Sequence, residues 1–407
     1  MRRRLAVVAV LFVVFCTTFA SNGPSILYVV YQGKYHFTSL TVTAIFSVYA
    51  VAVLATLLVV GRLSDVVGRR PLLLAGAALL VASALLFALA RSALWLFAAR
   101  ALQGVATGTL IAAAGASLVE LSPPRQRPRA ALMNTVAFLT GAAAGSLAFG
   151  VMVQFLPSPT VLPYVLEIAL DGGALLAVAV LVIETVTPGE HARWRLQRPS
   201  VPRAILRPFV VSSVTMGVGW SLGGVYGALS PTMTRQILHV SSHLVAGAVL
   251  CTFNLVGGVA QLLRRRHGAR GSMLAGLALV ALGAALIQLA FTARSSLLLF
   301  LATLFGGAGA GMAFVGSLAL VNELAPAARR AEALAAYNLV GYLALSLPVI
   351  GVGLLTSALG LRTASLVFCC LLVAAAGLLA LPLRRVGVAA EAVGERGLGA
   401  RPAAQVR

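Results

Sequence analysis

The stretch GRLSDVVGRRP, residues 61–71, is an island of charge in an otherwise apolar chain. Three arginines and one aspartate stand around two glycines and before a proline, with long runs of Val, Leu and Ala on either side. Of the 407 residues, 60% are hydrophobic and only 10% charged, and the mean hydropathy is +0.98. A soluble domain is usually about 25% charged. So little charge cannot clothe a water-facing surface, so the solvent of this chain is lipid. The island then reads as a loop at a membrane surface, and the flanking apolar runs as spans.

A helix needs about 20 mostly apolar residues to cross the hydrocarbon core. Runs of that kind fall near 5–31, 39–61, 71–90, 93–119, 130–155, 161–185, 207–230, 241–263, 272–292, 296–321, 333–357 and 363–383, twelve in all. The first follows Arg2, Arg3 and Arg4 as the core of a secretory signal would, but it stays apolar to about Tyr31 and reads as an uncleaved first helix. Charge sets the orientation. If the N-terminus, each loop after an even-numbered helix and the tail share one side, that side holds 25 of the 31 Lys and Arg residues and the other side five, with Arg100 inside a helix. Cytoplasmic loops carry such an excess, so both termini are expected in the cytoplasm. The net charge of +21 is then a mark of topology and not of nucleic-acid binding.

The expected fold is an all-α integral membrane protein with twelve transmembrane helices in two pseudo-symmetric six-helix bundles. The expected bounds are 1–185 for the first half, 186–206 for a central cytoplasmic loop, 207–385 for the second half and 386–407 for a disordered basic tail. Trp194, between Arg193 and Arg195, suits an interfacial strip in the central loop. Cys16, Cys251, Cys369 and Cys370 lie in apolar runs without CxxC spacing and read as packing residues.

The halves repeat. ASLVELSPPRQRPRAALMN (116–134) and LALVNELAPAARRAEALAAYN (318–338) share Glu-Leu-x-Pro, then arginines, then an asparagine entering the next helix. Glu120 and Glu323 are 203 residues apart, and Gly104 and Gly108 map by the same offset onto Gly307 and Gly311. A parallel repeat of two six-helix halves implies a site at their interface near the bilayer midplane.

GRLSDVVGRR, with Gly61, Asp65, Gly68, Arg69 and Arg70, resembles the signature loop of the major facilitator superfamily between its second and third helices. LFAARALQGVATG, with Arg100, Gln103 and Gly104, is similar to that superfamily's fourth-helix pattern. Length, span number and half-repeat extend the likeness over the whole chain, which resembles bacterial twelve-helix proton-coupled drug-efflux members. By that resemblance Asp65 reaches the positive N-terminal end of the eleventh helix near Arg330–Ala333, and Arg69 reaches Glu120. Gly61, Asp65, Gly68, Arg69, Arg70 and Glu120 are thus the candidate cytoplasmic gate. The residues themselves agree: Gly61 and Gly68 permit positive φ, Pro71 suits a first helical turn, and Asp65 and Arg69 are spaced i,i+4. Positive-inside charge alone would account for the arginines but not for the aspartate or the glycine spacing. In the second half, QLLRRRHGAR (261–270) keeps Gly268 but has Arg265 where an aspartate would be, so no second lock is expected.

Ionisable residues inside spans are functional candidates, since each costs about 2.5–3.5 kcal/mol at a helix centre on insertion scales. Arg100, Glu167 and Asp171 are the candidate proton-coupling residues. A carboxylate poised between an apolar environment and a nearby arginine can take up a proton on one side and release it on the other; a purely structural Arg–carboxylate pair is the competing reading. Thr303 stands at the place of Arg100 in the tenth helix, so coupling is expected in the first half alone. Glu184 and Glu190 read as surface charges. Asn22, Tyr28, Gln103, Trp220 and Tyr226 are the candidate substrate-cavity residues, suited to neutral or cationic amphipathic molecules. Asn22-Gly23-Pro24 should loosen the first helix and free carbonyls toward water or substrate. The glycine pairs Gly104/Gly108, Gly141/Gly145 and Gly307/Gly311 should let helices pack closely and rock.

In the fifth helix GAAAGS stands where antiporters of the superfamily usually carry Gly-Pro-x-x-Gly-Gly, and the first helix lacks the acidic residue of many drug antiporters. No HExxH, no Ser/His/Asp set and no GxxxxGK[ST] loop occurs, so neither a membrane enzyme nor an ATP-driven pump is expected. The expected function is secondary active transport by alternating access in a bacterial inner membrane: export of small amphipathic compounds, driven by protons, by a monomer without cofactor or metal. A metabolite importer and a non-transporting membrane sensor are the alternatives.

Overall fold

The computed structural model describes residues 2–61, 63–186, 198–239, 241–264 and 267–398, and gives the backbone alone for Asp65, Ala328 and 384–398. Glu190, Arg193, Trp194, Arg195 and Arg265 lie outside the described residues, as does the Asp65 side chain. Among the described residues, twelve helices are long and apolar enough to cross a membrane. In chain order they are α1 (Arg2–Tyr35), α2 (Ser39–Val60), α3 (Arg69–Ala88), α4 (Ala93–Leu121), α5 (Pro124–Phe155), α6 (Leu162–Leu181), α7 (Arg203–Leu238), α8 (His243–Arg264), α9 (Ala269–Ala293), α10 (Ser296–Leu324), α11 (Arg330–Leu359) and α12 (Leu361–Leu383). Each expected span has its helix. Most run a few residues past the apolar segment, because backbone hydrogen bonding continues into the interface after hydrophobicity ends.

The last helix continues beyond its span, its backbone helical from Leu361 to Leu398. The backbone of 386–398, part of the expected tail, is thus helical. In VGVAAEAVGERGL three alanines and two glutamates favour helix while three glycines and three valines do not, so the extension rests on a helix already nucleated by the span. Residues 399–407 lie outside the described residues.

Within the first half, α1, α2, α4 and α5 form an inner ring, with α3 packed on α4 and α6 and with α6 also on α1. The second half repeats this with α7, α8, α10 and α11 inside, α9 against α10, and α12 against α9 and α11. The halves meet chiefly through α5 on α8 and α2 on α11. The repeat extends to backbone detail. His36 ends α1 and His239 ends α7, both left-handed, with φ of 53° and 54°, at the same 203-residue offset as Glu120 and Glu323.

The glycine pairs occupy helix contacts, as their spacing suggested, but not the ones that would rock. Gly104 and Gly108 seat α4 on Tyr49, Val53 and Thr56 of α2; Gly141 and Gly145 seat α5 on Phe15 and Phe19 of α1; Gly307 and Gly311 seat α10 on Phe253 and Gly257 of α8. All three contacts lie within one half. The seam between halves has its own small residues: Gly150 of α5 faces Gly247 of α8, and Gly353 of α11 faces Thr43 of α2.

Candidate functional site

A cavity of about 440 Å³ lies between the halves, within the range of about 300–1,000 Å³ typical of small-molecule sites. Its wall takes Ser21, Asn22 and Ser25 from α1, Phe46 and Tyr49 from α2, Trp220 from α7, Phe253 and Asn254 from α8, Phe314 from α10 and Tyr342 from α11. Asn134 and Thr135 of α5 and Gln261 of α8 line it near the ends that lead into the terminal-side loops, so it opens toward the side of the two termini. On the far side the halves touch. The backbone N–H of His243 donates to Gln154 Oε1 at 2.9 Å, and a Cβ at Gly247 would stand 2.6 Å from the Ser146 carbonyl oxygen. Ser47 Oγ lies 3.4 Å from the Ser346 carbonyl oxygen, joining α2 to α11. Among the described residues that line the cavity, none is charged.

Asn22 and Trp220 thus stand in the wall as expected, whereas Tyr28, Gln103 and Tyr226 do not. Each of these three is fully buried with its polar end already engaged. Tyr226 lies 3.2 Å from Thr303 Oγ1, and Tyr28 accepts from Arg100 Nε at 2.7 Å. Gln103 follows from the break in α1. Residues Gly23–Leu27 form a 3-10 segment, and Pro24 has no N–H, so the Ala20 carbonyl four residues earlier loses its helical donor. Gln103 Nε2 supplies it at 2.9 Å. Arg100 Nη1 does the same for the Ser21 carbonyl at 3.0 Å and donates to Gln103 Oε1 at 2.6 Å. The carbonyls freed at Asn22-Gly23-Pro24 therefore go to α4 and not to water or substrate. Tyr49, Asn254, Phe314 and Tyr342 were not singled out from sequence. Asn254, a lone amide inside an apolar span, carried a usable signal; the aromatic residues carried none.

Arg100 is completely buried, yet among the described residues no carboxylate pairs with it. Its charge is accommodated by neutral acceptors and by the rings of Tyr28, Tyr49 and Phe87, at 5.4, 5.5 and 5.8 Å from the guanidinium carbon. Such cation–π contacts contribute about 0.5–2 kcal/mol each. Tyr49 shows one edge to the cavity and donates to Ser21 Oγ at 3.0 Å, so Arg100 lies directly behind the cavity wall.

Glu167 and Asp171 are one helical turn apart on α6, and both are buried with no hydrogen-bond partner among the described residues on either carboxyl oxygen. Cys16 of α1 lies beside them, its thiol 3.6 Å from the Leu170 carbonyl oxygen. Neither carboxyl lines the cavity, and among the described residues neither forms an ion pair with Arg100, so the competing reading of a structural Arg–carboxylate pair finds no contact here. A close-packed aromatic layer adjoins the pair: Tyr164 stacks on Phe87 at 5.1 Å and its hydroxyl lies 3.2 Å from that of Tyr31.

At the terminal side, the charged loop folds as one short helix, Ser64–Val67, before α3. Gly68 has φ 103°, the left-handed region that favours glycine, whereas Gly61 is right-handed with φ −51° and needs no such freedom. Arg69 pairs with Glu120 at 2.9 Å, as the family resemblance implied, and also donates to Ser64. This pair ties α3 to α4 inside the first half. Arg70 donates to the Ala179 carbonyl at 2.8 Å. Glu184 is exposed as expected but is more than a surface charge. Its carboxylate accepts from the backbone N–H groups of Arg69 at 2.9 Å and Arg70 at 3.1 Å, capping α3. A Cβ at Gly68 would stand 2.5 Å from Glu184 Oε2. Thr185 hydrogen-bonds Glu120, so the end of α6 joins the same knot.

The model of the Major Facilitator Superfamily matches residues 10–266 and 258–404. Among curated relatives, the cephamycin export protein CmcT of Amycolatopsis lactamdurans is 30% identical over 184 residues, 44% of this chain and 37% of that protein. The multidrug resistance protein MdtL of Escherichia coli O139:H28 is 25% identical over 194 residues, 47% of this chain and 49% of that one. The matches thus span less than half the length of these relatives. Among solved structures, a bacterial homologue of the human lysosomal transporter Spinster, in an inward-facing and unoccupied conformation, superposes with a TM-score of 0.78 at 13% identity, covering 94% of this chain and 97% of that one. The peptide transporter POT in complex with sulfate gives 0.80 at 15% identity, covering 94% and 95%. At such identities the likeness is one of fold. With the family model matched along nearly the whole chain and twelve spans in two repeated halves, this multi-pass membrane protein belongs to the Major Facilitator Superfamily, a family of transporters and not of enzymes.

Proposed function

We propose that the chain is a secondary active transporter that works by alternating access, exporting small amphipathic compounds in exchange for protons. The observation that carries this reading is the cavity between the halves, open toward the terminal side and sealed on the other by α5 against α8 and α2 against α11. A binding site with one open mouth at a seam between two repeated bundles can be exposed to the other side by rocking one bundle on the other. The basic loops assign the open side to the cytoplasm, where an exporter collects its cargo.

Glu167 and Asp171 are the proton carriers in this reading. An ionised carboxylate held dry and without partners costs several kcal/mol, so the conformation with the far side closed accommodates the neutral acids. Opening the far side would wet α6 and let a proton leave or enter. Arg100 is the fixed positive charge of the same half. The signature-loop knot of Arg69, Glu120 and Glu184 keeps α3, α4 and α6 together as one body while the halves move. Asp65, by family resemblance, would latch that body to α11 when the terminal side closes.

The test is uptake into inverted vesicles of a panel of dyes and metabolites, with and without an imposed pH gradient. Gradient-dependent accumulation of an amphipathic compound supports export. Accumulation only in right-side-out vesicles would make the protein an importer, and no flux in either orientation would leave a sensor.

A further inference from the structure

We propose that the Asn22–Asn254 amide pair is the specificity element of the cavity, and that it selects uncharged aromatic compounds carrying an amide-type edge over organic cations. This rests on the reading of the cavity as the substrate site. Asn254 Nδ2 donates to Asn22 Oδ1 at 3.3 Å, a long bond that joins α8 of one half to α1 of the other across the cavity wall. Asn22 spends its own Nδ2 on the Thr18 carbonyl at 3.0 Å. Asn254 lines the cavity, and among the described residues its second N–H and its carbonyl oxygen have no protein partner, which leaves a donor and an acceptor on one side chain of the wall. An amide, lactam or urea edge matches that pattern with two hydrogen bonds; an ammonium group has no acceptor to offer the N–H.

The surroundings fit the same class. Trp220 stacks on Phe314 at 5.9 Å and meets Tyr342 edge-on at 5.4 Å, giving an aromatic corner on the second half for a flat ring. Aromatic walls can hold a cation when their faces are free. Here Arg100 already takes one face of Tyr49, and Trp220 and Phe314 each spend one face on the other, so the aromatic wall alone does not exclude a cation and the charges decide. Among the described residues no carboxylate lines the cavity, and Arg100, which has no carboxylate partner among them, lies against the cavity-lining Tyr49. A desolvated organic cation would meet no counter-ion and one like charge. Because the amide bond bridges the halves, a compound that takes over its partners also loosens the contact between α1 and α8, which ties selection to the conformational step.

Binding rather than flux tests this, so that its failure and the failure of the transport reading can be told apart. Three probes of matched two-ring size are titrated into the full-length protein in nanodiscs: N-benzylbenzamide, the quaternary cation dibenzyldimethylammonium, and 1,2-diphenylethane. Tryptophan fluorescence, corrected with empty nanodiscs, gives each Kd. The amide should bind at least about tenfold more tightly than either comparator. Asn254→Leu should bring the amide down to the affinity of the hydrocarbon, and Asn254→Asp, which keeps the size and adds a charge, should reverse the order in favour of the cation. Equal or tighter binding of the cation by the unaltered protein would overturn the proposal whether or not either variant folds. So would an amide no better bound than the hydrocarbon. Transport of other compounds would survive that outcome, whereas absence of flux with normal amide binding would refute the transport reading alone.

Discussion

Adding one methyl group at Gly247 should hold the far side of the protein open. A Cβ there would stand 2.6 Å from the Ser146 carbonyl oxygen and 3.0 Å from the Gly150 Cα. Non-bonded heavy atoms settle at about 3.5–4.0 Å, so α5 and α8 would have to part by roughly 1 Å. Both obstacles are backbone and cannot rotate away. Overpacking of this kind costs about 1–3 kcal/mol, and only the conformation in which α5 and α8 touch bears that cost. Gly247→Ala should therefore shift the balance between the two conformations by about 5- to 150-fold toward the far-side-open form. Spin labels at Phe155 and Ser242, in a background with the four cysteines replaced, would report it by double electron–electron resonance as a longer-distance population. Gly172→Ala is the control, since a Cβ there meets nothing within 4 Å. A folded Gly247→Ala protein with the distance distribution of the control would refute the assignment of this contact as the far-side seal.

Arg100→Lys keeps the charge but cannot reach Tyr28, Gln103 and the Ser21 carbonyl together; with about 1.5–3 kcal/mol for each lost charged hydrogen bond, it should lower the melting temperature measurably in a detergent thermal-shift assay and abolish turnover. For Glu184, burial pushes the carboxyl up, but the backbone N–H groups of Val186, Arg69, Arg70 and Thr185 outweigh it and hold the group below the usual carboxylate range. A lowered folded value stabilises above the unfolded value and is lost as pH falls through the folded one. The stability gap between the wild type and Glu184→Ala should thus stay flat from pH 8 down to about 5 and close below about 4.5, as read by unfolding at each pH. Asp65→Asn should express and fold normally yet lose most turnover; transport at the wild-type rate would make this aspartate an ordinary surface charge.

The number and order of the helices were legible because lipid leaves few choices. Every span had to be about 20 apolar residues, and the arginines had to gather on one side. The signature loop was also legible, since Gly61, Asp65, Gly68, Arg69 and Arg70 stand together in one short stretch, and its contact with Glu120, 51 residues from Arg69, came from the family resemblance. Glu184 escaped because it joins that knot from the end of α6, more than 100 residues away, with only a carboxylate as its signal. The cavity was harder to read. Tyr28, Gln103 and Tyr226 look like lumen residues in sequence, but Pro24 strands a carbonyl that Gln103 must satisfy, and Arg100 claims Tyr28. A polar residue in a span serves either the lumen or a neighbouring backbone, and only the helix-to-helix geometry decides between them. The same limit applied to Arg100 and Asp171, which their charges inside apolar spans suggested as one coupling centre and between which no ion pair forms among the described residues.

The measurement that bears most directly on the central claim is substrate-coupled proton movement in proteoliposomes, for the wild type and for Asp171→Asn. With a pH-sensitive dye inside and a transported amphipathic compound added, the wild type should move protons opposite to the compound and concentrate it along an imposed pH gradient. Asp171→Asn mimics the protonated acid permanently, so it should still exchange the compound downhill but neither move protons nor concentrate it. If Asp171→Asn concentrates the compound as the wild type does, with protons moving in step, then the buried carboxyl of α6 is not the proton carrier and the coupling mechanism proposed for this protein is wrong.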